Sequence, residues 1–237
     1  RLKIVCKDIT LRYQLIINNM KKSVLTLVLV VISIYLSAQQ EYSTFYYQRA
    51  SLFENLKSTP NDIVFLGNSI TNGGEWSELF ENQNVKNRGI SGDICVGVYD
   101  RMDIITKGHP AKIFLLIGIN DIGRGATTDS IVEGISKIID KIQYQSPNTK
   151  IYLQSILPLN DSFGMFDGPT THWKEIKPLN KRLENLAKFK QVTYIDLYSE
   201  FVTLGSDKLN PEYTNDGLHL MGKGYIKWAE IVSPYID

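Results

Sequence analysis

An acyl-transfer site needs a nucleophile, a base to take its proton, a group that orients the base, and donors for the developing oxyanion. This chain offers a residue for each part. Ser69 stands in Gly67-Asn68-Ser69-Ile70-Thr71, directly after the apolar run Ile63 to Leu66. That run, bounded by Asn and Gly, predicts a strand buried on both faces and therefore parallel. In open α/β sheets chemistry gathers outside the carboxyl ends of the strands, so a serine delivered there by a Gly-Asn turn is placed to react. The same serine would also suit a turn or a helix cap, so its meaning depends on its company.

The base is found by elimination among three histidines. His109, in Gly108-His109-Pro110, leads into the third predicted strand at its amino end, away from the expected active edge. His172 lies beside Trp173 in a long irregular stretch, where substrate contact and surface exposure are both open. His219 closes Asn215-Asp216-Gly217-Leu218-His219 after the last predicted strand, at the correct edge. Asp216, three residues earlier, can reach the imidazole in a turn-like segment, fix its tautomer and stabilise the imidazolium that forms during attack. An Asp216 that caps the following helix beside a solvated His219 is the alternative.

Two loops can supply oxyanion donors. After the second predicted strand comes Asn87-Arg88-Gly89-Ile90-Ser91-Gly92-Asp93, where Gly92 can present its N–H with no side chain in the way. After the third comes Gly118-Ile119-Asn120-Asp121, where Asn120 offers an amide. Taken singly, such segments are turns. Together, four segments following different strands supply Ser, Gly, Asn and Asp-x-x-His in order, which chance does not readily arrange.

The elements that must position them are read from periodicity. Strands are expected at Ile63 to Leu66, Val85 to Asn87, Lys112 to Ile117, Lys150 to Ile156 and Val192 to Leu197. Tyr42 to Lys57 has near-helical apolar spacing, and Ile131, Val132, Ile135, Ile138, Ile139 and Ile142 fall on one helical stripe. Pro178 is expected to open a helix buried through Leu179, Leu183 and Leu186, and Tyr225, Trp228, Ala229 and Val232 mark a closing helix. Strands alternating with helices specify a three-layer α/β/α domain with a parallel sheet and right-handed crossovers. Leu157 to Trp173 is expected to be irregular, the length of a binding or lid element.

These segments resemble the SGNH, or GDSL-type, hydrolase family, with GNSIT, NRGISGD, GIND and DGLH standing at the family's blocks. The resemblance covers roughly Asn61 to the end. It implies a flavodoxin-like sheet of five parallel strands, a Ser69-His219-Asp216 triad, and an oxyanion hole from the Ser69 and Gly92 N–H groups and the Asn120 amide. Asn68 stands where the family name has Asp, and Ile94 where many members have Thr.

Within the family, NRGISGD, LLIGIND and QSILPLN look most like bacterial acetylhydrolases similar to platelet-activating-factor acetylhydrolase and to sialate O-acetylesterases. An acetyl ester on carbohydrate is the expected substrate, because an exported enzyme meets glycans and the loop with Phe163, Phe166 and Trp173 can stack on sugar; lysophospholipids and thioesters, which other members hydrolyse, are the alternative. Asn68, Asp93, Asp121, Phe163, Phe166, His172 and Trp173 are the candidate substrate contacts, the loop aromatics as surfaces for stacking on sugar. No cofactor is expected, and no Cys/His or oxygen-ligand pattern predicts a metal. Two rivals are a glycan-binding module that has lost turnover and a flavin-binding flavodoxin-like protein.

Composition bounds the rest. The 237 residues, 43% hydrophobic and 22% charged, suit one well-buried domain. With 26 Lys and Arg against 25 Asp and Glu, the net charge of +1 gives no electrostatic case for nucleic acid. Met20-Lys21-Lys22, the apolar Val24 to Leu36 and Ser37-Ala38-Gln39 match a cleaved secretory signal, the run being shorter than the roughly 20 residues that span a bilayer. The expected organisation is an upstream extension at 1–19, a signal at 20–39 and the hydrolase domain at 40–237, giving a secreted or periplasmic protein not anchored in the membrane. Cys6 would leave with the leader. Cys95, between Ile94 and Val96, is expected to be buried and inert.

Overall fold

A computed structural model of the chain describes residues 18–28 and 41–236, in a short unit, Arg1–Tyr42, and a large one, Ser43–Asp237. In the short unit residues 18–28 are helical; most of the expected extension and signal, including the cleavage site, lies outside the described residues. No helix among the described residues is long and apolar enough to cross a membrane.

In the large unit five strands form one parallel sheet: β1 (Ile63–Gly67), β2 (Val85–Gly89), β3 (Lys112–Leu116), β4 (Lys150–Gln154) and β5 (Thr193–Ile195). Their order is β2-β1-β3-β4-β5. The chain thus winds outward to one edge, returns past β1 and continues to the other. With right-handed crossovers, that reversal puts helices on both faces. Strands β1 and β3 are buried throughout; apart from Lys112, whose ammonium donates to the Tyr235 and Ile236 carbonyls, their residues are apolar or glycine.

The helices that matter for the site are α1 (Thr44–Asn55), α2 (Ser69–Asn72), α3 (Trp76–Leu79), α4 (Cys95–Asp100), α5 (Met102–Thr106), α6 (Ile119–Gly123), α7 (Thr128–Gln145), α8 (Asp167–Thr170), α9 (Trp173–Lys190), α10 (Tyr198–Phe201) and α11 (Gly222–Val232). In α7 the stripe Ile131, Ile135, Ile138, Ile139 and Ile142 is buried, and Val132 packs at its margin. The register aligns Phe65 with Phe114 and Phe114 with Tyr152, and their rings stack at 4.9 and 4.5 Å across three strands. Trp76 of α3 stacks on Phe65 at 4.2 Å, and Trp228 of α11 meets Trp76 edge-on at 4.7 Å. This aromatic layer seats the segment that follows Ser69 against the closing helix.

Two expectations are corrected. Pro178 does not open a helix: α9 begins at Trp173 and carries Pro178 inside it. An interior proline costs about 3 kcal/mol through its missing N–H and ring clash. Buried Ile176, Leu179 and Leu183 on both sides of it oppose that cost. The stretch Leu157 to Trp173 is not wholly irregular either, for it holds a 3₁₀ turn, Asp161–Phe163, and α8.

Candidate active site

Ser69 follows the carboxyl end of β1 and opens α2, and Asn68 caps that helix by accepting the Ile70 N–H on its Oδ1 at 3.0 Å. The turn is close-packed. A Cβ on Gly67 would lie 2.3 Å from the Leu116 carbonyl oxygen, so the chain can pass beside β3 there only as glycine. Four further bonds hold the residues after Ser69. Asn87 Nδ2 donates to the carbonyls of Thr71, Asn72 and Gly74 at 2.8 to 3.0 Å, and the Tyr225 hydroxyl donates to Ile70 O at 2.9 Å.

His219 arrives on the other side of the reaction centre, from the turn before α11. Thr214 Oγ1 accepts the Asp216 and Gly217 N–H groups at 3.3 and 3.0 Å, and Asp216 gathers the rest of this turn. Its Oδ1 accepts the N–H groups of Leu218 at 2.9 Å and His219 at 2.7 Å, while its Oδ2 lies 2.8 Å from His219 Nδ1. Gly217 adopts φ 82°, and a Cβ there would fall 2.0 Å from the Asn160 carbonyl oxygen, so the turn depends on glycine twice over. Burial raises the Asp216 pKa, but the His219 and Leu218 N–H groups and the imidazole outweigh it and hold the carboxyl below its ordinary value.

The far ring nitrogen, His219 Nε2, lies 3.0 Å from Ser69 Oγ. An ionised carboxylate only accepts, so Nδ1 carries the proton toward Asp216. In the neutral ring Nε2 is then the acceptor for the serine hydroxyl, the tautomer that proton removal from Ser69 requires.

The oxyanion candidates sit on two adjoining loops. Gly92 is exposed at φ 78°, a conformation that favours glycine although a Cβ would meet nothing. Asn120, in the first turn of α6, donates one amide hydrogen from Nδ2 to the Asp93 carbonyl at 2.9 Å. Its Nδ2 carries a second hydrogen available to a ligand. The Ser69 N–H lies in the first turn of α2 and has no acceptor within that helix.

The structure redistributes the candidate substrate contacts. Asn68 is fully buried in its capping role. Asp93 is buried in an ion pair with Arg101, Oδ2 to Nε 2.9 Å; burial pushes its pKa up and the guanidinium pulls it back. Asp121 turns to α4, where its two carboxylate oxygens accept the Cys95 N–H at 3.0 and 3.2 Å. Asn68 and Asp93, buried in these roles, support the site from behind and are corrected as substrate contacts; Asp121 is only partly buried.

The loop candidates divide in turn. Phe166 is half exposed and meets the His219 ring edge-on at 5.0 Å. Phe163 reaches the vicinity of Gly217. His172 pairs with Glu175 at 2.7 Å. Trp173 donates to Asp161 at 3.1 Å and has the Lys208 and Lys174 ammonium groups over its ring at 4.9 and 5.3 Å, so stacking on sugar would have to displace them.

Cys95 is buried, and desolvation together with the Asp121 carboxylate pushes its thiol pKa well up. That leaves it protonated and a poor nucleophile, as expected. His109 stays at the amino end of β3, in a turn with φ 49°. The described residues hold no cluster of His, Cys, Asp or Glu that could bind a metal ion.

The sequence reading missed Arg101, Asn87 and Tyr225. Each acts on backbone carbonyls far away in the chain, and no local motif marks such a role.

Residues 65–226 match the model of the GDSL-like lipase/acylhydrolase family. The chain is 26% identical over 178 residues to platelet-activating factor acetylhydrolase IB subunit alpha2 of Rattus norvegicus, covering 72% of this chain and 74% of the relative. A solved candidate platelet activating factor from Streptococcus pneumonia aligns with a TM-score of 0.74 at 27% identity, covering 90% of this chain and 99% of that one. A GDSL-like lipase from Bacteroides thetaiotaomicron aligns with a TM-score of 0.70 at 25% identity, covering 81% and 96%. The family match runs from β1 to α11 and so spans every segment of the site described above: the chain belongs to the GDSL-like lipase/acylhydrolase family and is an ester hydrolase.

Proposed function

We propose that this hydrolase removes acetyl groups from oxygen esters, carried most suitably by carbohydrate, through a covalent acyl-enzyme on Ser69. His219 takes the hydroxyl proton as Ser69 attacks, and Asp216 holds the ring and stabilises the imidazolium. The N–H groups of Ser69 and Gly92 and the Asn120 amide receive the oxyanion. His219 returns the proton to the leaving alcohol, and then activates the water that frees the acid.

The observation that carries the reading is the unbroken chain from Asp216 Oδ2 to His219 Nδ1 at 2.8 Å and from Nε2 to Ser69 Oγ at 3.0 Å. The acetyl preference draws on the rat relative, which is named an acetylhydrolase. Carbohydrate draws on the loop aromatics, with Phe166 the one set against His219, and on export. Export is supported by Lys21-Lys22, the apolar run to Leu36 and the small residues after it.

One observation favours a longer acyl chain as the second reading: Met165 and Phe166 form an exposed apolar lip, 48% and 47% accessible, with Phe166 against His219. Rates on p-nitrophenyl acetate, butyrate and octanoate decide between them. Acetate is expected to be fastest, with Ser69→Ala and His219→Ala each losing at least about a thousandfold. Full activity in Ser69→Ala would refute the nucleophile, and a maximum at octanoate would move the substrate to lipid-like esters.

A further inference from the structure

The Asp93–Arg101 ion pair is among the most deeply buried charge in the molecule, its side chains 0% and 1% exposed. Buried ion pairs are poor glue: exchanged for neutral groups of similar volume they are often neutral or stabilising, because desolvation consumes the Coulomb gain. What this pair touches accounts for its place. Arg101 Nη2 donates to the Gly67 carbonyl at 3.1 Å, two residues before Ser69, while its Nε holds Asp93 Oδ2 at 2.9 Å. Asp93 Oδ1 accepts the Ile94 N–H at 3.0 Å, which fixes the main chain just after Gly92. The Asp93 carbonyl receives the Asn120 amide at 2.9 Å. One guanidinium thus joins the strand end that carries the nucleophile to the loops that carry both remaining oxyanion donors.

We infer that Asp93 and Arg101 are positioning residues that set the oxyanion donors Gly92 and Asn120 in register with Ser69. The inference rests on the assignment of those three residues proposed above. A planar fork with several fixed donors specifies direction as well as distance, which an apolar contact does not. Donors aimed at an oxyanion lose most of their worth when displaced by an ångström or less. Neutralising the pair therefore leaves the core intact and loosens the alignment.

The test compares the full chain with Asp93→Asn/Arg101→Met, which leaves no buried charge and keeps an acceptor for the Ile94 N–H, and with Arg101→Lys, which keeps the charge and loses the fork. Active sites are counted by fluorophosphonate labelling, and each protein is assayed on p-nitrophenyl acetate and with a trifluoromethyl ketone that mimics the tetrahedral intermediate. The double variant is expected to melt within a few degrees of wild type. Its kcat per labelled site is expected to fall about tenfold to a hundredfold, the ketone Ki to rise by the same factor, and KM to change little. Arg101→Lys is expected to lie between the two.

Unchanged kcat per site and ketone Ki in a folded double variant would overturn the inference. A double variant that does not fold would overturn it as well, by assigning the pair to stability. Failure of the underlying reading looks different: wild type would not take the label, or Ser69→Ala would remain active.

Discussion

The two halves of the site are held in place by opposite means. The Asp216–His219 half is local: one carboxylate gathers two main-chain N–H groups and an imidazole from within four consecutive residues, and Gly217 supplies the backbone conformation that closes the turn. The half proposed to receive the oxyanion is assembled from a distance. Gly92 and Asn120 follow different strands and are brought together by Asn120 on Asp93 O, Asp121 on Cys95 N, Arg124 on Gly92 O and Arg101 on Gly67 O. A short turn can be encoded in a motif because its hydrogen bonds close over a few residues. A hole built from two loops depends on the sheet that sets those loops side by side.

The comparison can be broken from either side. Asp216→Asn keeps the shape of the turn but lets the ring adopt the wrong tautomer, so kcat is expected to drop about a thousandfold to ten-thousandfold. Steady-state kinetics would check this, and a loss below tenfold would show that the carboxylate does not orient the base. Asn120→Ala removes one oxyanion donor and is expected to lower kcat about a hundredfold to a thousandfold, or about 3 to 4 kcal/mol, with KM largely kept. An unchanged kcat would take Asn120 out of the hole.

Gly217→Ala asks whether the local turn stands alone. The added Cβ would meet the Asn160 carbonyl at 2.0 Å while the backbone stays at φ 82°. Thermal melts are expected to show a loss of about 2 to 3 kcal/mol together with lost activity. A melt equal to wild type would mean that the turn adapts freely.

The smallest effect is the pH dependence of stability. The native Asp216 pKa is lowered, so the stabilisation linked to it is fully present above the ordinary carboxylate value and is lost as pH falls toward the lowered native value. Melting temperatures of wild type and Asp216→Asn are expected to converge as pH falls through the acid range. Parallel curves would detach this carboxylate from acid unfolding.

Several features were legible because they rest on short-range patterns. The apolar runs Ile63 to Leu66 in β1 and Ile113 to Leu116 in β3, the isoleucine stripe of α7 and the Asp-x-x-His turn each follow from apolar patterning or from local hydrogen bonding. The failures share the opposite origin. Pro178 reads as a helix start, yet burial of Ile176, Leu179 and Leu183 carries α9 through it. Asn68 and Asp93 read as polar groups beside a reaction centre, yet each turns inward, one to a cap and the other to an ion pair.

Alternating strands and helices were enough to specify the three-layer α/β/α fold, and the order of residue types along the chain, a serine, a glycine, an asparagine and an Asp-x-x-His each following a strand, was enough to point to a GDSL-type hydrolase. Strand direction and right-handed crossovers leave few ways to arrange them, so all must emerge at one sheet edge. Only the tertiary structure decided which polar groups face that edge and which brace it from within. Arg101 shows why: its guanidinium links Gly67 to Asp93 across 34 and 8 residues of chain, a pairing set by packing across β1 and α4 that no local spacing contains.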